Sequence, residues 1–98
     1  MTNNGLVMIT IDNFARIFEE VNGEPEYEVA FDNREAEYMI IKYSDCVTFQ
    51  RCGIENGSGV IRFGSLDELL SAETIDGICL KRDWDQIGSI VVNGTEVL

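Results

Sequence analysis

The 98-residue sequence contains no histidine, a single proline and no long apolar run. Without histidine, nucleophilic sites of the Ser–His or Cys–His kind are excluded. The longest apolar stretches are strand-like and fall well short of the roughly 20 residues that cross a bilayer, so we expect no membrane span. The first residues, MTNNGLVMITIDNF, show neither a basic start nor a small-residue cleavage site. We therefore expect no secretory signal and a cytoplasmic location.

Cysteine is scarce and unevenly spaced. Cys46, Cys52 and Cys79 form no CxxC pair, and a zinc site without histidine or CxxC is not expected. If Cys46 and Cys52 end one strand, they lie about 20 Å apart at roughly 3.3 Å per residue, beyond the roughly 7 Å that a disulfide spans. We expect reduced packing residues in a reducing compartment, and no metal or other cofactor.

Basic residues are also scarce. Seven Lys and Arg stand against 18 Asp and Glu, which gives a net charge of −11. Each contact with a phosphate needs a cation, so we expect no direct binding to nucleic acid or to an anionic membrane. The imbalance suits a basic protein partner, and it also suits solubility alone. The sequence leaves both interpretations open.

Periodicity predicts one α+β domain over residues 1–98. Apolar residues at a period of 3.6 from Ile11 to Val21 predict an N-terminal helix, capped by Thr10 and ended by Asn22-Gly23. Alternation then predicts strands over residues 26–32, 37–43, 46–52 and 60–63, joined by short links. This order predicts a four-stranded antiparallel meander with the helix packed on one face.

The C-terminal third predicts short helices and a hairpin. Ser65 and Glu68 match a capping box that opens a helix ending near Ala72. Asp83 is a candidate cap for another short helix, one that carries Trp84 and Ile87. Asn-Gly within residues 90–98 predicts a terminal β-hairpin. The predicted core comprises Ile11, Phe14, Phe18, Tyr27, Val29, Phe31, Ile41, Val47, Phe49, Ile61, Phe63, Leu69, Trp84 and Ile87.

Acidic residues concentrate between Glu19 and Glu37, where eight acids accompany Arg34 alone. Alternation places Glu26, Glu28 and Asp32 on one strand face, with about 7 Å between successive same-face residues. That spacing lies within the roughly 8–10 Å Debye length at cellular salt, so the charges repel one another. It is also close to the spacing of phosphates along one nucleic-acid strand.

Two interpretations of this acidic segment compete. Charge protects an edge strand from aggregation, which accounts for two or three acids. It does not account for Glu19 and Glu20, which stand near a helix C-terminus where the dipole disfavours negative charge. Several acidic residues that destabilise one region by mutual repulsion favour the interpretation that this surface binds a basic partner. The predicted partner-binding residues are Glu24, Glu26, Glu28, Asp32, Glu35 and Glu37; Asp67, Glu68, Asp83 and Asp85 could extend that face, although helix capping already accounts for them.

No motif predicts catalysis. The glycine-rich segment GIENGSG leads into a strand with no lysine after it, unlike a phosphate-binding loop. Asp83 and Asp85 are two residues apart, which on a helix directs them to different sides. We therefore expect a protein that is not an enzyme and has no catalytic or metal-binding residues.

The size near 100 residues, the strong acidity, and the order of helix, small antiparallel sheet and short helices resemble the small phage-encoded anti-CRISPR proteins that inhibit Cas9. The resemblance lies in the layout of the chain. It implies a non-enzymatic inhibitor that occupies the site reading the protospacer-adjacent motif, or another channel lined by Lys and Arg.

Two other classes share these features. An immunity protein that neutralises a basic nuclease toxin has the same size and acidity. A structural or assembly domain of a phage or mobile element would instead form oligomers through the hairpin from Val92 to Leu98, with Val97 and Leu98 exposed. The sequence leaves the oligomeric state open.

Overall fold

The computed structural model describes residues 9–53, 59–92 and 95–96. These residues form an α+β fold, in which helices cover one face of an antiparallel sheet. The fold class is as predicted. None of the helices in the described ranges has the length and apolar character that crossing a membrane would require.

The sheet has six strands instead of the predicted four. Its order is β4-β3-β2-β1-β5-β6, and every pairing is antiparallel. The first four strands form the predicted meander. The terminal hairpin extends the same sheet on the outer side of β1. The strands are β1 (Glu26–Phe31), β2 (Glu37–Lys42), β3 (Val47–Arg51), β4 (Val60–Phe63), β5 (Ile87–Val92) and β6 (Thr95–Glu96).

The N-terminal helix, α1 (Ile11–Glu20), has the predicted cap. The amide of Asn13 donates to Oγ1 of Thr10 at 3.1 Å. After the helix, Gly23 takes the left-handed conformation, with φ of 88°, which glycine adopts without steric cost. The local pattern therefore defined both ends of this helix.

Two short helices follow the meander. The helix α2 (Leu66–Ser71) begins at the predicted capping box, where Ser65 Oγ accepts from the amide of Glu68 at 3.2 Å. Glu68 in turn accepts from the amide of Gly64 at 3.0 Å. The second helix is α3 (Leu80–Asp83), and 3-10 turns occupy Ile75–Gly77 and Trp84–Gln86.

The prediction for Ile87 is wrong, and the prediction for Asp83 is confirmed in position but not in its capping bond. Asp83 ends α3, and its carboxylate accepts from the amide of Cys79, the residue before that helix, at 3.1 Å. The carboxylate therefore caps the helix that Asp83 ends, because it can reach back four residues to a free amide. Asp83 also directly precedes the 3-10 turn Trp84–Gln86, as predicted, but its side chain makes no capping hydrogen bond to that turn. Ile87 begins β5. The turn residues 93–94, together with Val97 and Leu98, lie outside the described residues.

The core lies between the helices and one face of the sheet. Phe14 and Phe18 of α1 pack on Tyr27 of β1, with ring centroids 5.3 and 5.5 Å apart. Full burial of an aromatic ring stabilises the fold by roughly 1.5–3 kcal/mol. The predicted core residues Phe14, Phe18, Tyr27, Val29, Phe31, Val47, Phe49, Leu69 and Ile87 are buried here.

Four predicted core residues, Ile11, Ile61, Phe63 and Trp84, are only half-buried. Ile41 is buried, but it pairs with Glu26 on the opposite face of the sheet. Sequence reasoning missed several core residues because β2 is apolar on both faces and the later helices are short. The missed residues are Tyr38, Ile40, Leu66, Leu70 and Ile90, whereas Ile78 and Leu80 were expected to make buried contacts and are buried.

Candidate interaction surface on the open face of the sheet

One face of the sheet packs on the helices, and the other carries Glu26, Glu28 and Glu37 of the predicted site. The strand register assigns side chains to this second face, because residues directly opposite each other in a sheet share a face. We call it the open face. It comprises Glu26 and Glu28 of β1, Glu37, Met39 and Ile41 of β2, Thr48 and Gln50 of β3, Val60 and Arg62 of β4, and Ser89 and Val91 of β5.

Three of the six predicted site residues come together on the open face. Glu26 and Glu28 are exposed on β1, and Glu37 on β2 lies opposite Ala30. Glu37 therefore places a carboxylate beside the position where Ala30 interrupts the acidic row. Neighbours along the strand are about 7 Å apart, and the diagonal from Glu28 to Glu37 is roughly 7–8 Å.

The other three predicted residues lie outside the strands. Glu24 precedes β1, Asp32 follows it, and Glu35 lies in the β1–β2 connection; all three are exposed. At the register shift between Ala30 and Phe31 the extra residue is Gly88 of β5, and the Asp32 carboxylate occupies the space that a side chain on Gly88 would take. These acids extend the acidic region beyond the ends of the strands that carry Glu26, Glu28 and Glu37.

Among the residues that the structure describes, the open-face carboxylates form no ion pair. Within the described ranges, which include all seven Lys and Arg, no ion pair forms with any of the six predicted residues. The arginines that form ion pairs do so with other acids: Arg51 with Asp76 at 3.4 Å, Arg62 with Asp45 at 3.8 Å, and Arg82 with Asp83 at 2.9 Å.

The edge-protection interpretation is wrong for this strand. β1 is hydrogen-bonded to β2 on one side and to β5 on the other, so it lies in the interior of the sheet. An interior strand presents no free edge for another chain to pair with. The acids of β1 therefore need another explanation.

The acids at the end of α1, in contrast, have a compensating group. Lys42 Nζ donates to the carbonyls of Phe18 at 2.6 Å and Val21 at 2.8 Å. A cation there offsets the unfavourable position of Glu19 and Glu20 near the helix C-terminus. Sequence reasoning missed this cap because it comes from a strand more than twenty residues further along the chain. Glu19 and Glu20 need no partner to account for them.

Apolar side chains flank the acidic row on both sides. Glu28 lies between Met39 on β2 and Val91 on β5, and Glu26 lies opposite Ile41. Met39 and Val91 are partly exposed. The surface therefore combines charge with apolar area. The apolar character of β2 on both faces was visible in the sequence, but the register that places it beside the acids was not.

A cleft of about 230 Å³ lies at the β2–β3 end of the open face. Thr48 at its base is buried, and its hydroxyl has no hydrogen-bond partner among the described residues. The cleft is lined by Tyr43, Asp45, Cys46, Thr48 and Arg62.

Cys52 lies beside the acidic residues Glu28 and Glu37. Burial, reinforced by the nearby Glu37 and Glu28 carboxylates, raises the pKa of Cys52. The thiol is the unreactive form, so this shift disfavours a nucleophilic role. Within the described ranges no group of three potential metal ligands occurs.

Comparison with known proteins adds no identification. No protein family, no curated protein and no solved structure shows a significant match to this chain.

Proposed function

We propose that the protein is a non-enzymatic, cytoplasmic inhibitor whose open face binds a basic surface of another protein. The observation that carries the proposal is the cluster of Glu26, Glu28 and Glu37 on interior strands, without a cation partner in the described ranges. Like charges at this spacing repel one another in the free protein. A basic partner relieves that repulsion on binding, and the acidic field speeds the encounter.

The partner class that fits best is a nucleic-acid enzyme. Its phosphate-binding surface carries Lys and Arg, and the carboxylate row has a spacing close to that of phosphates in one strand. The resemblance of the sequence layout to anti-CRISPR proteins makes Cas9 the first partner to test, at its protospacer-adjacent-motif site or another basic channel. In this proposal the protein binds no nucleic acid itself and needs no cofactor.

The test is capture of such an enzyme from nuclease-treated lysate and inhibition of purified Cas9 in a DNA-cleavage assay. We compare wild type with Glu26→Lys/Glu28→Lys. The matched control is Glu19→Lys/Glu20→Lys, which changes the net charge equally at the end of α1. The open-face variant is expected to capture no nucleic-acid enzyme. The control is expected to capture the enzyme as wild type does, and added duplex DNA is expected to compete with that capture.

Equal capture by both variants would contradict the proposal, because general acidity would then explain the binding. If capture requires the open face but purified Cas9 is not inhibited, the protein would be an inhibitor of a different basic enzyme. The captured protein would identify that enzyme directly.

A further inference from the structure

We infer that the partner covers the open face with an amphipathic helix, on which a row of Lys or Arg residues at four-residue spacing has apolar side chains on both sides. This inference rests on the proposed function, since it specifies the partner of the same surface. It starts from the arrangement across the strands, where Glu28 stands between Met39 and Val91. A partner that offered cations alone would leave that apolar area exposed to water.

The spacing of a helix matches this surface. Residues four apart on a helix rise about 6 Å, and same-face residues on a strand are separated by about 6.8 Å. Lys or Arg at two such positions therefore faces Glu26 and Glu28 together. Strands lie about 4.8 Å apart, so a helix of about 10 Å diameter spans β1 with its two neighbours, β2 and β5. That width reaches both Met39 and Val91.

Charge decides against the other occupants. A second copy of this chain would place the carboxylates of Glu26 and Glu28 against identical carboxylates, in a protein of net charge −11. Nucleic acid and anionic lipid are repelled for the same reason. The parts of this chain outside the described ranges contain no Lys or Arg. A basic helix from another protein is the occupant that complements both the acids and the apolar side chains.

Calorimetric titration of the full chain with synthetic helices tests the inference. One peptide of about 18 residues, five helical turns, carries a row of Lys at four-residue spacing with leucines on both sides of that row. A second has the same composition, with the order changed so that no apolar stripe forms. The first peptide is expected to bind wild type at least tenfold more tightly than the second.

Three variants locate the binding. The affinity for the first peptide is expected to fall about tenfold in Glu26→Lys/Glu28→Lys and also in Met39→Gln. The same affinity is expected to be unchanged in Glu19→Lys/Glu20→Lys. Met39 is partly exposed, so its replacement by a side chain of similar length keeps the fold, which circular dichroism verifies.

Equal binding of the two peptides, or an unchanged affinity of Met39→Gln, would overturn the helix inference. The proposed function would survive either result if capture of a nucleic-acid enzyme still required Glu26 and Glu28. Retention of that capture by the open-face variant would instead remove the proposed function. The two failures therefore give different results.

Discussion

Tyr38 donates a 2.6 Å hydrogen bond to the carboxylate of Asp76. This bond joins the centre of the sheet to the 3-10 turn Ile75–Gly77, where Asp76 takes a left-handed conformation with φ of 57°. Arg51 also contacts the same carboxylate at 3.4 Å. Contacts from two strands thus hold Asp76 in a left-handed conformation, which is uncommon for residues other than glycine.

Tyr38→Phe is expected to lower the free energy of unfolding by about 1–2 kcal/mol. A hydrogen bond to a charged group contributes roughly 1.5–3 kcal/mol, and the remaining contact with Arg51 reduces the loss. Urea denaturation followed by circular dichroism measures the change. Unchanged stability would show that the bond to Asp76 contributes nothing to the fold.

Tyr27→Phe is expected to have the opposite sign and to raise the free energy of unfolding by up to about 1 kcal/mol. The Tyr27 hydroxyl is buried and has no hydrogen-bond partner within the described ranges. Burial also raises the pKa of Tyr27. Removing an unpaired hydroxyl ends its desolvation penalty and leaves the ring contacts with Phe14 and Phe18 in place. The same urea titration, run beside Tyr38→Phe, compares two identical substitutions on one sheet face.

How far the sequence predicts this fold depends on where each signal lies. The cap at Thr10 and the capping box at Ser65 are local, and both were confirmed. The pairing of β5 with β1 joins segments more than fifty residues apart, and no local pattern specifies it. That pairing moved the acidic strand from the edge of the sheet to its interior.

The candidate site shows the same division. Period 2 correctly placed Glu26 and Glu28 on an exposed face. The position of Glu37 opposite Ala30 follows from the register, and the register depends on the length of the β1–β2 turn. The flanking Met39 and Val91 were missed because the first lies on a strand that is apolar on both faces, and the second on a strand whose neighbour could not be predicted.

Lys42→Met is expected to lower the free energy of unfolding by about 1–2 kcal/mol, because it removes charge-assisted hydrogen bonds to the last carbonyls of α1. Glu19→Gln/Glu20→Gln in the same background should recover part of the loss, since neutral side chains no longer oppose the helix dipole. A double-mutant cycle by thermal or urea denaturation measures this coupling. Strict additivity would contradict the idea that Lys42 offsets those two acids.

Asp83→Asn is expected to destabilise the protein by about 1–2 kcal/mol at neutral pH. The hydrogen bond from Arg82 holds the pKa of Asp83 down to about 2. Because the folded pKa lies below the usual value of roughly 3.9, the contribution is present above about pH 4 and is lost as pH falls toward 2. Urea titrations between pH 2 and 7 should show wild type and variant converging in acid. A difference in the free energy of unfolding that stayed constant across this pH range would mean that the substitution acts through packing and not through the charge of Asp83.

Glu37→Lys is expected to weaken capture of the basic partner by about 5–20-fold, and Glu35→Lys only slightly. Both changes reverse one charge, but Glu37 lies on the open face beside Glu28, whereas Glu35 lies in the connecting turn. An exposed ion pair contributes up to about 1 kcal/mol, and reversing one charge replaces that attraction with a repulsion. The expected cost is therefore about 1–2 kcal/mol. Affinity measured at low and at high salt should show the difference shrinking, because the Debye length falls from about 10 Å at 0.1 M to 3 Å at 1 M. An equal loss in the two variants would mean that the partner senses the acidic region as a whole and not the open face.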